Sequence, residues 1–347
     1  MITEPRPRAK TGLLGFLLTL LACIYRVVLW GHRLCYDRGW FSTHDLHRPV
    51  ISVGNLTAGG VGKTPLIKTL IRHLLQNNIR PAVLMRGYHS RRSEGTLQSD
   101  EALDYLQEFP GVPVLPGRRR VQTARDFLRQ QDADVFLMDD GFQHRCVKRD
   151  LDIVILDATN PFGNGAVLPR GVLRESVVAL RRADIIVLTK TDLGRERIPQ
   201  IKKVLTEKKI SCPVFQAVHQ PRHFLDWRMN REITLTEVMH QSACLLSAIG
   251  DPSGFERMIA SLGVTVKKHY IFPDHHWFTK NDWLFVLADC QRQEVGILIT
   301  TSKDAVRLSC FQEKIPDSLA VYIFHIELMI NHEQQDFFKR IDRVLQR

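Results

Sequence analysis

The sequence predicts an α/β protein with a parallel sheet sandwiched by helices, a smaller second α/β lobe, and a membrane-associated helix ahead of both. Three observations support this fold class. Short, continuous apolar runs alternate with helical stretches, which is typical of buried parallel strands. A glycine-rich turn joins the first such run to the first helix. A long uncharged apolar stretch precedes both of them.

That apolar stretch covers residues 13–25, is interrupted by Arg26, and resumes at 27–30. A helix that spans a bilayer needs about 20 apolar residues, so this segment falls short. Basic residues flank it on both sides, and these suit anionic lipid headgroups. We expect residues 12–30 to form a helix that lies in the membrane interface. A buried helix, a true span and a signal peptide stay open as alternatives.

The predicted strands and helices follow in chain order. In the first part, the strand-like runs lie at 50–53, 81–85, 134–138, 151–156 and 184–188, and a helix is predicted over 63–75. In the last part, the runs lie at 245–250, 296–300 and 320–324, with a helix over 252–262. We therefore expect four segments: an N-terminal helical segment at 1–47, a core at 48–215, a connection at 216–242, and a second lobe at 243–347.

Length, composition and charge agree with this organisation. The 347 residues suggest about two domains, and 44% hydrophobic with 24% charged residues is ordinary for a globular protein. The net charge of +11 favours acidic partners such as phosphates or an anionic membrane surface. The charge comes without a helix-turn-helix, RNP or zinc-finger pattern, so we expect no nucleic acid partner. Seven Cys without a CxxC pair argue against a disulfide framework or a structural zinc site.

The glycine-rich turn at 57–64 has the context of a phosphate-binding loop, because a strand precedes it and a helix follows. Its backbone N–H groups and the helix dipole favour phosphate. Lys63 is expected to neutralise phosphate charge, and the Thr64 hydroxyl to ligate Mg²⁺. The predicted nucleotide-binding residues are Thr57, Ala58, Gly59, Gly60, Val61, Gly62, Lys63 and Thr64. This makes the core P-loop NTPase-like, although Thr57 stands where the consensus has Gly.

Two adjacent carboxylates, Asp139 and Asp140, end the predicted strand at 134–138. Acidic residues at the carboxyl end of a parallel strand face the ligand crevice of such sheets. Beside a phosphate loop they are expected to hold Mg²⁺ together with Thr64, directly or through water.

Other functions stay open on these residues alone. The segment Thr189–Asp192 resembles the [NT]KxD motif with which GTPases read guanine, but this motif is short, and a strand end followed by a helix cap is the favoured explanation. A second segment of this kind lies at 300–304, which makes either one less specific as evidence for guanine binding. A GTPase or metallochaperone, and a nucleotide-gated scaffold without transfer chemistry, are the alternatives.

Several longer strings occur in the order of one known family. Residues 54–65 (GNLTAGGVGKTP) resemble the opening motif of the tetraacyldisaccharide 4'-kinases, the lipid A 4'-kinases of Gram-negative bacteria. Further matches are RGY at 86–88, SDE at 99–101, DDGFQH at 139–144, LPRGVLRE at 168–175, FPDHH at 272–276 and TTSKDAVRL at 300–308. Val172 stands where the family usually has Pro. The ordered resemblance is far more specific than the phosphate loop by itself.

The resemblance implies ATP as donor, a lipid A disaccharide 1-phosphate as acceptor, and transfer to the acceptor's 4'-hydroxyl. It also implies peripheral or monotopic attachment at the cytoplasmic face of the bacterial inner membrane, and it implies no obligate protein partner. A basic protein with an apolar leading helix suits an acidic substrate held in a bilayer.

The resemblance further implies that Asp100 is the catalytic base, that His275 works with it, and that Lys63 is catalytic. Helix capping by 99–101 and surface exposure of His275 explain the same residues without function. The candidate substrate residues are Glu101, Arg120, Gln143, His144, Arg174 and Glu175. For Gln143 and His144, lining the nucleotide or acceptor site and simply closing the turn after the strand stay open. For Arg120, Arg174 and Glu175, the alternatives are reading the 1-phosphate and bridging the lobes.

Overall fold

The structure is a computed structural model that describes residues 12–87, 91–93, 96–98, 100–274, 276–331 and 333–346; for 91–93, 96–98, Asp100 and Glu313 it describes the backbone alone. The helices are α1 Leu13–Asp37, α2 Lys63–Gln76, α3 Asp100–Glu108, α4 Arg120–Leu128, α5 Ile198–Glu207, α6 Leu235–Val238, α7 Pro252–Ser261, α8 Lys280–Arg292, α9 Ser302–Leu308 and α10 Gln334–Leu345. Short 3-10 turns lie at Val177–Arg182, Arg195–Arg197 and Ser309–Lys314.

The strands are β1 Val50–Asn55, β2 Pro81–Met85, β3 Arg91–Ser93, β4 Thr96–Gln98, β5 Val114–Pro116, β6 Val135–Asp139, β7 Leu151–Asp157, β8 Ile185–Thr189, β9 Val214–Asp226, β10 Arg231–Ile233, β11 Ser242–Ser247, β12 Thr265–Ile271, β13 Ile297–Thr301 and β14 Ala320–Ile330. In the described residues, twelve of them form one sheet in the order β12-β11-β13-β14-β9-β8-β7-β1-β6-β2-β5, with β10 on β9. Strands β3 and β4 pair as a separate hairpin.

The strands pair in parallel both in the part of the sheet from β8 to β5 and in the part from β12 to β14. Strand β1 pairs parallel with β6 and β7, and β13 pairs parallel with β11 and β14. The described antiparallel pairs in this sheet are β14 with β9 and β10 with β9. The predicted α/β class with a mostly parallel sheet is therefore confirmed, and each predicted strand lies within a few residues of its expected place.

The segment expected to connect the lobes, 216–242, contains most of β9. This strand pairs parallel with β8 and antiparallel with β14, so it joins the two halves into one sheet. Burial alternates at the start of β9, where Phe215 and Ala217 are buried, but most of its later side chains are only partly buried, which explains why the sequence pattern was weak. Pro221 lies at a register shift opposite Ile326, where a residue without an N–H group fits a ladder irregularity.

The main core lies between the sheet and helices α2 and α10. Leu66, Ile67 and Leu70 of α2 are fully buried against the inward face of β1. Phe337 and Ile341 of α10 belong to the same cluster. The last helix of the chain therefore covers the first half of the sheet, although it was grouped with the second lobe. The four-segment division itself stays a prediction.

Helix α1 runs unbroken through Arg26 to Asp37, where Arg33 pairs with Asp37 one turn later (3.2 Å). Ala22 is the residue of α1 that is fully buried. Its exposed apolar side chains are Leu13, Leu14, Phe16, Leu17, Leu20, Leu21, Ile24, Val27, Val28 and Trp30. By length and composition α1 could cross a membrane, and it is the one such helix among the described residues.

Candidate active site

The carboxyl ends of β1 and β6 bring the phosphate loop and the acidic pair to one edge of the sheet. Val53 of β1 lies in register with Asp139 of β6. A Cβ on Gly54 would lie 2.6 Å from the Cβ and the amide nitrogen of Phe142. Glycine is therefore required at position 54 for β1 to pass this close to the turn after the acidic pair.

The loop turns into α2 through two glycines in left-handed conformations. Gly59 has φ +121° and Gly62 has φ +93°. No side chain caps the start of α2, and its first turn carries no acidic residue. The first N–H groups of the helix, with the positive end of its dipole, are thus available to an anion.

The unusual Thr57 has a structural role in this loop. Thr57 forms an isolated antiparallel bridge with Leu173, and the Ala58 N–H donates to the Val172 carbonyl oxygen (2.7 Å). The position where the consensus has Gly is therefore anchored to the LPRGVLRE segment. This anchor fixes where the glycines of the loop begin.

Lys63 reaches from the loop to the acidic pair. Its Nζ lies 3.1 Å from Asn55 Oδ1 and 3.1 Å from Asp140 Oδ1. Thr64 follows it and is buried in the first turn of α2. The structure thus brings the predicted phosphate-binding lysine and one predicted metal ligand into contact.

Asp140 is held in its charged form by two cations. Burial raises its pKa, but Lys63 and Arg174 outweigh burial and bring the pKa of Asp140 down to about 2. Arg174 Nη1 lies 2.8 Å from both carboxylate oxygens. The φ of Asp140 is +50°, in the left-handed region that residues other than glycine rarely adopt.

Asp139 has the opposite electrostatic environment. Burial is the largest effect and, together with the charge of Glu101, raises the pKa of Asp139 to about 6. Its Oδ2 accepts a hydrogen bond from the Tyr105 hydroxyl (3.1 Å). Its Oδ1 is buried and has no hydrogen-bond partner within the described residues. A buried carboxylate oxygen without a donor is a place where a cation fits.

Arg120, a candidate for the substrate site, binds the backbone of the acidic pair. It is almost fully buried, and its guanidinium donates to the carbonyl oxygens of Asp139 and Asp140. Burial lowers the pKa of Arg120. Arg149 donates to the carbonyl oxygens of Gly141 and Phe142 in the same turn.

The other candidate substrate residues surround this turn. Gln143 Nε2 donates to the Asn55 carbonyl oxygen (3.0 Å), and Glu175 pairs with Arg182 (2.9 Å). The ring of His144 lies 3.0 Å from Cys146 Sγ. Burial and the neighbouring arginines lower the pKa of His144 to about 4, so its imidazole is neutral at physiological pH.

The predicted catalytic pair lies largely outside the described residues. Asp100 begins α3, but its side chain is not described, and neither is His275. Of the neighbouring residues, His276 lies 3.1 Å from Asp282 and stacks on Phe272 (4.9 Å). His276 is thus bound to the start of α8, whereas the pairing of Asp100 with His275 stays a prediction.

Two residues that the sequence did not single out also contact the site. Tyr105 is fully buried on α3 and binds Asp139. His219 on β9 lies so close to the loop that a Cβ on Gly62 would be 2.9 Å from its Nε2. Tyr105 continues the apolar periodicity after Asp100 and was the more detectable of the two. His219 lies in the segment that was expected to be a connection.

The segment that resembles the guanine-reading motif, Thr189–Asp192, begins at the last residue of β8. The Thr189 hydroxyl donates to the Val61 carbonyl oxygen (2.9 Å), and Lys190 Nζ lies 3.0 Å from both Asp157 and Asp251. Lys190 is therefore already paired with two carboxylates, as expected of a strand end that packs on the loop.

Comparison with known proteins identifies the family. A family model described as tetraacyldisaccharide-1-P 4'-kinase (LpxK) matches residues 14–346. The chain belongs to the LpxK family. The resemblance drawn from the motifs is confirmed, and with it the assignment of the chain as a kinase.

Individual LpxK relatives are similar along most of their length. A tetraacyldisaccharide 4'-kinase of Syntrophus aciditrophicus (strain SB) is 36% identical over 327 residues, covering 88% of this chain and 87% of the relative. One of Anaeromyxobacter sp. (strain K) is 37% identical over 317 residues, covering 87% and 84%. A crystal structure of LpxK from Aquifex aeolicus in complex with ATP superimposes with a TM-score of 0.74 at 27% identity, covering 94% of this chain and 98% of that one.

Proposed function

We propose that this chain transfers the γ-phosphoryl group of ATP to the 4'-hydroxyl of a lipid A disaccharide 1-phosphate. The observation that carries the proposal is the contact between Lys63 of the phosphate loop and Asp140 of the acidic pair, 3.1 Å apart at one edge of the sheet. Membership of the LpxK family, and the ATP bound to the Aquifex aeolicus relative, support the same donor and reaction.

The loop and Lys63 perform the electrostatic part of the reaction. Phosphoryl transfer spreads negative charge over the transferred group, so positioned cations and N–H groups lower its barrier. Asp140 and Asn55 keep the Lys63 ammonium at the mouth of the loop. Arg174 keeps Asp140 charged, so Asp140 continues to hold the Lys63 ammonium at the mouth of the loop.

The residues at this edge also fit a divalent cation. Thr64, Asp139 and Asp140 would hold Mg²⁺, which neutralises phosphate charge when it is bound. The fit is best at Asp139, because its Oδ1 is buried without a donor within the described residues and burial opposes its ionisation. A carboxylate in that state gains from a cation more than a solvated one does.

The acceptor's proton needs a base, for which we propose Asp100 with His275. A carboxylate is a weak base, but in a loose transition state the proton leaves late, so placement matters more than basicity. Helix α3 begins at Asp100 and is tied to the acidic pair through Tyr105. We propose that Glu101, Gln143, His144 and Glu175 surround the acceptor. Arg120 and Arg174 instead hold the acidic pair in position.

The position of α1 agrees with a substrate that sits in a membrane. The Tyr25 hydroxyl of α1 donates to the Arg174 carbonyl oxygen (3.1 Å), and the Arg174 side chain binds Asp140. One residue thus separates the apolar helix from the acidic pair. We propose that α1 lies on an anionic membrane surface at the cytoplasmic face of the inner membrane, which brings the acceptor's sugar to the phosphate loop.

The deciding experiment offers ³²P-labelled ATP and a lipid A disaccharide 1-phosphate to the purified chain in detergent with Mg²⁺. We expect labelled lipid, and loss of label when the acceptor's 4'-hydroxyl is blocked. Nucleotide binding without labelled product from this acceptor would favour a scaffold. Stronger competition by GTP than by ATP would favour the GTPase alternative.

A further inference from the structure

Helix α3 is attached both to the acidic pair and to the helix that follows the phosphate loop. Tyr105 joins it to the acidic pair at the end of β6. A second and stronger attachment joins it to α2, the helix that begins at Lys63 in the phosphate loop. Two residues of α2 make this second attachment: Lys68, and Arg72 one turn later, which also binds Glu108. Lys68 is the more buried of the two and has no place in the phosphoryl transfer described above.

Lys68 binds two carboxylates of α3. Its Nζ lies 2.8 Å from Asp104 Oδ1 and 2.8 Å from Glu108 Oε2. The three side chains are 7%, 3% and 12% exposed, so the cluster is shielded from water. Lys68 is five residues after Lys63, and Asp104 is four residues after Asp100. The contact therefore lies little more than one helical turn from both the phosphate loop and the proposed base.

Stability alone gives little reason for such a cluster. The cost of removing these charges from water offsets much of their attraction, and apolar side chains of similar volume often do as well. Ionic hydrogen bonds differ from apolar contacts in being directional. Apolar packing would hold α3 on the sheet, whereas Lys68 also fixes how far α3 is shifted and turned relative to α2.

We propose that Lys68 is a positioning residue that sets the start of α3, and the base it carries, relative to the phosphate loop. The inference rests on the proposed kinase function. Misplacing a reacting group by about 1 Å can reduce turnover roughly 10²-fold. Lys68 touches neither nucleotide nor acceptor in this assignment, so its loss should reduce kcat and spare the binding of ATP.

The test variant is the double substitution Lys68→Met/Asp104→Leu. It removes both members of one ion pair and leaves Glu108 with Arg72 and Arg222, so no buried charge is left alone. We expect kcat for phosphoryl transfer to fall between about tenfold and 10²-fold, with KM for ATP and the binding of a fluorescent ATP analogue changed less than about threefold.

The matched control is His73→Leu/Asp342→Leu. It removes a polar link of the same helix α2, with 2.7 Å between His73 Nε2 and Asp342 Oδ1, but this link leads to α10 and not to α3. We expect the control to retain the kcat of the wild-type chain. Circular dichroism melting of both double variants compares their folding.

Each outcome decides the inference. Unchanged kcat in a folded Lys68→Met/Asp104→Leu chain overturns it, and so does a fall in kcat that the control shares or that KM for ATP accompanies. If the double variant does not fold, Asp104→Leu decides, because it removes the acceptor next to the start of α3 and leaves Lys68 paired with Glu108. A folded Asp104→Leu chain with full kcat also overturns the inference. Absence of transfer by the wild-type chain would instead reject the proposed function.

Discussion

Two neighbouring carboxylates at the site carry opposite pKa shifts. The pKa of Asp140 falls to about 2 because Lys63 and Arg174 outweigh its burial, whereas burial raises that of Asp139 to about 6. Asp139 is therefore kept charged at neutral pH at a cost to the stability of the nucleotide-free protein. Strain of this kind is typical of functional groups that await a ligand.

We predict that Asp139→Asn raises the melting temperature at pH 7.5 and lowers kcat roughly 10²-fold or more, because the uncompensated charge is removed together with the proposed metal ligand. An upward shift from 3.8 to about 6 corresponds to on the order of 2–3 kcal/mol of unfolding free energy. A raised carboxyl pKa means that the folded state gains stability as pH falls from about 6 to 3.8. The gain of the variant over the wild-type chain should therefore disappear near pH 4.

The matched variant Asp140→Asn should lower the melting temperature at pH 7.5, since it leaves Lys63 and Arg174 facing each other without their shared anion. A lowered carboxyl pKa stabilises the folded state above about pH 4, and this contribution is lost as pH falls toward 2. Melting curves of both variants at pH 7.5 and 4 test the opposite signs. A destabilised Asp139→Asn chain at pH 7.5 would contradict the assignment.

Sequence alone indicated the residues of the site that are adjacent in the chain. Lys63, Thr64, Asp139 and Asp140 follow from strand, loop and helix context. The pairing of Arg174 with Asp140 across 34 residues, and of Tyr105 with Asp139, depends on how separate elements pack. Residue type and spacing contain no signal for such contacts, which is why the sequence indicates a substrate role for Arg174 and not its pairing with Asp140.

At the scale of elements, α1 differs from every other described helix in the apolar surface it exposes. The apolar run predicts a helix over 12–30 that includes Arg26, and α1 continues beyond it to Asp37. A single long charged side chain can extend away from an apolar face, so it does not end a helix. The sequence indicated the existence of the helix and underestimated its length.

We predict that deleting residues 12–30 releases the chain from anionic vesicles at low salt. Each large exposed apolar side chain that enters the interface adds about 1.5–3 kcal/mol, whereas each basic residue near the surface adds about 1 kcal/mol. Val27→Ser/Val28→Ser should therefore weaken vesicle binding more than the charge control Arg26→Gln. Sedimentation with vesicles measures both.

A high-salt wash separates insertion from surface attraction, because salt screens charge and leaves apolar burial intact. The full-length chain should stay with the vesicles after the wash. Its complete release without detergent would show that charge alone holds it.

At the scale of the molecule, the two halves share one sheet, and one of the apolar clusters contains residues of both. Strand β9 pairs with β8 on one side and along most of β14 on the other. Helix α10, from the last residues of the chain, covers the same apolar cluster as α2. The predicted boundaries at 216–242 came from local composition, which cannot register that a late helix returns to an early one.

We therefore predict that the chain unfolds in one cooperative transition. ATP with Mg²⁺ should raise the temperature of that entire transition. The last segment, 243–347, cannot unfold without exposing Leu66 and Leu70, which α10 and β14 help to cover. A ligand at 100 times its Kd stabilises the folded state by about 2.7 kcal/mol, and in a single cooperative unit this acts on every element. Calorimetry with and without the nucleotide, and with Lys63→Ala as the control that binds it poorly, measures the effect. Two separate transitions of which ATP shifts only one would show instead that the halves are energetically independent, and that β9 connects them without coupling them.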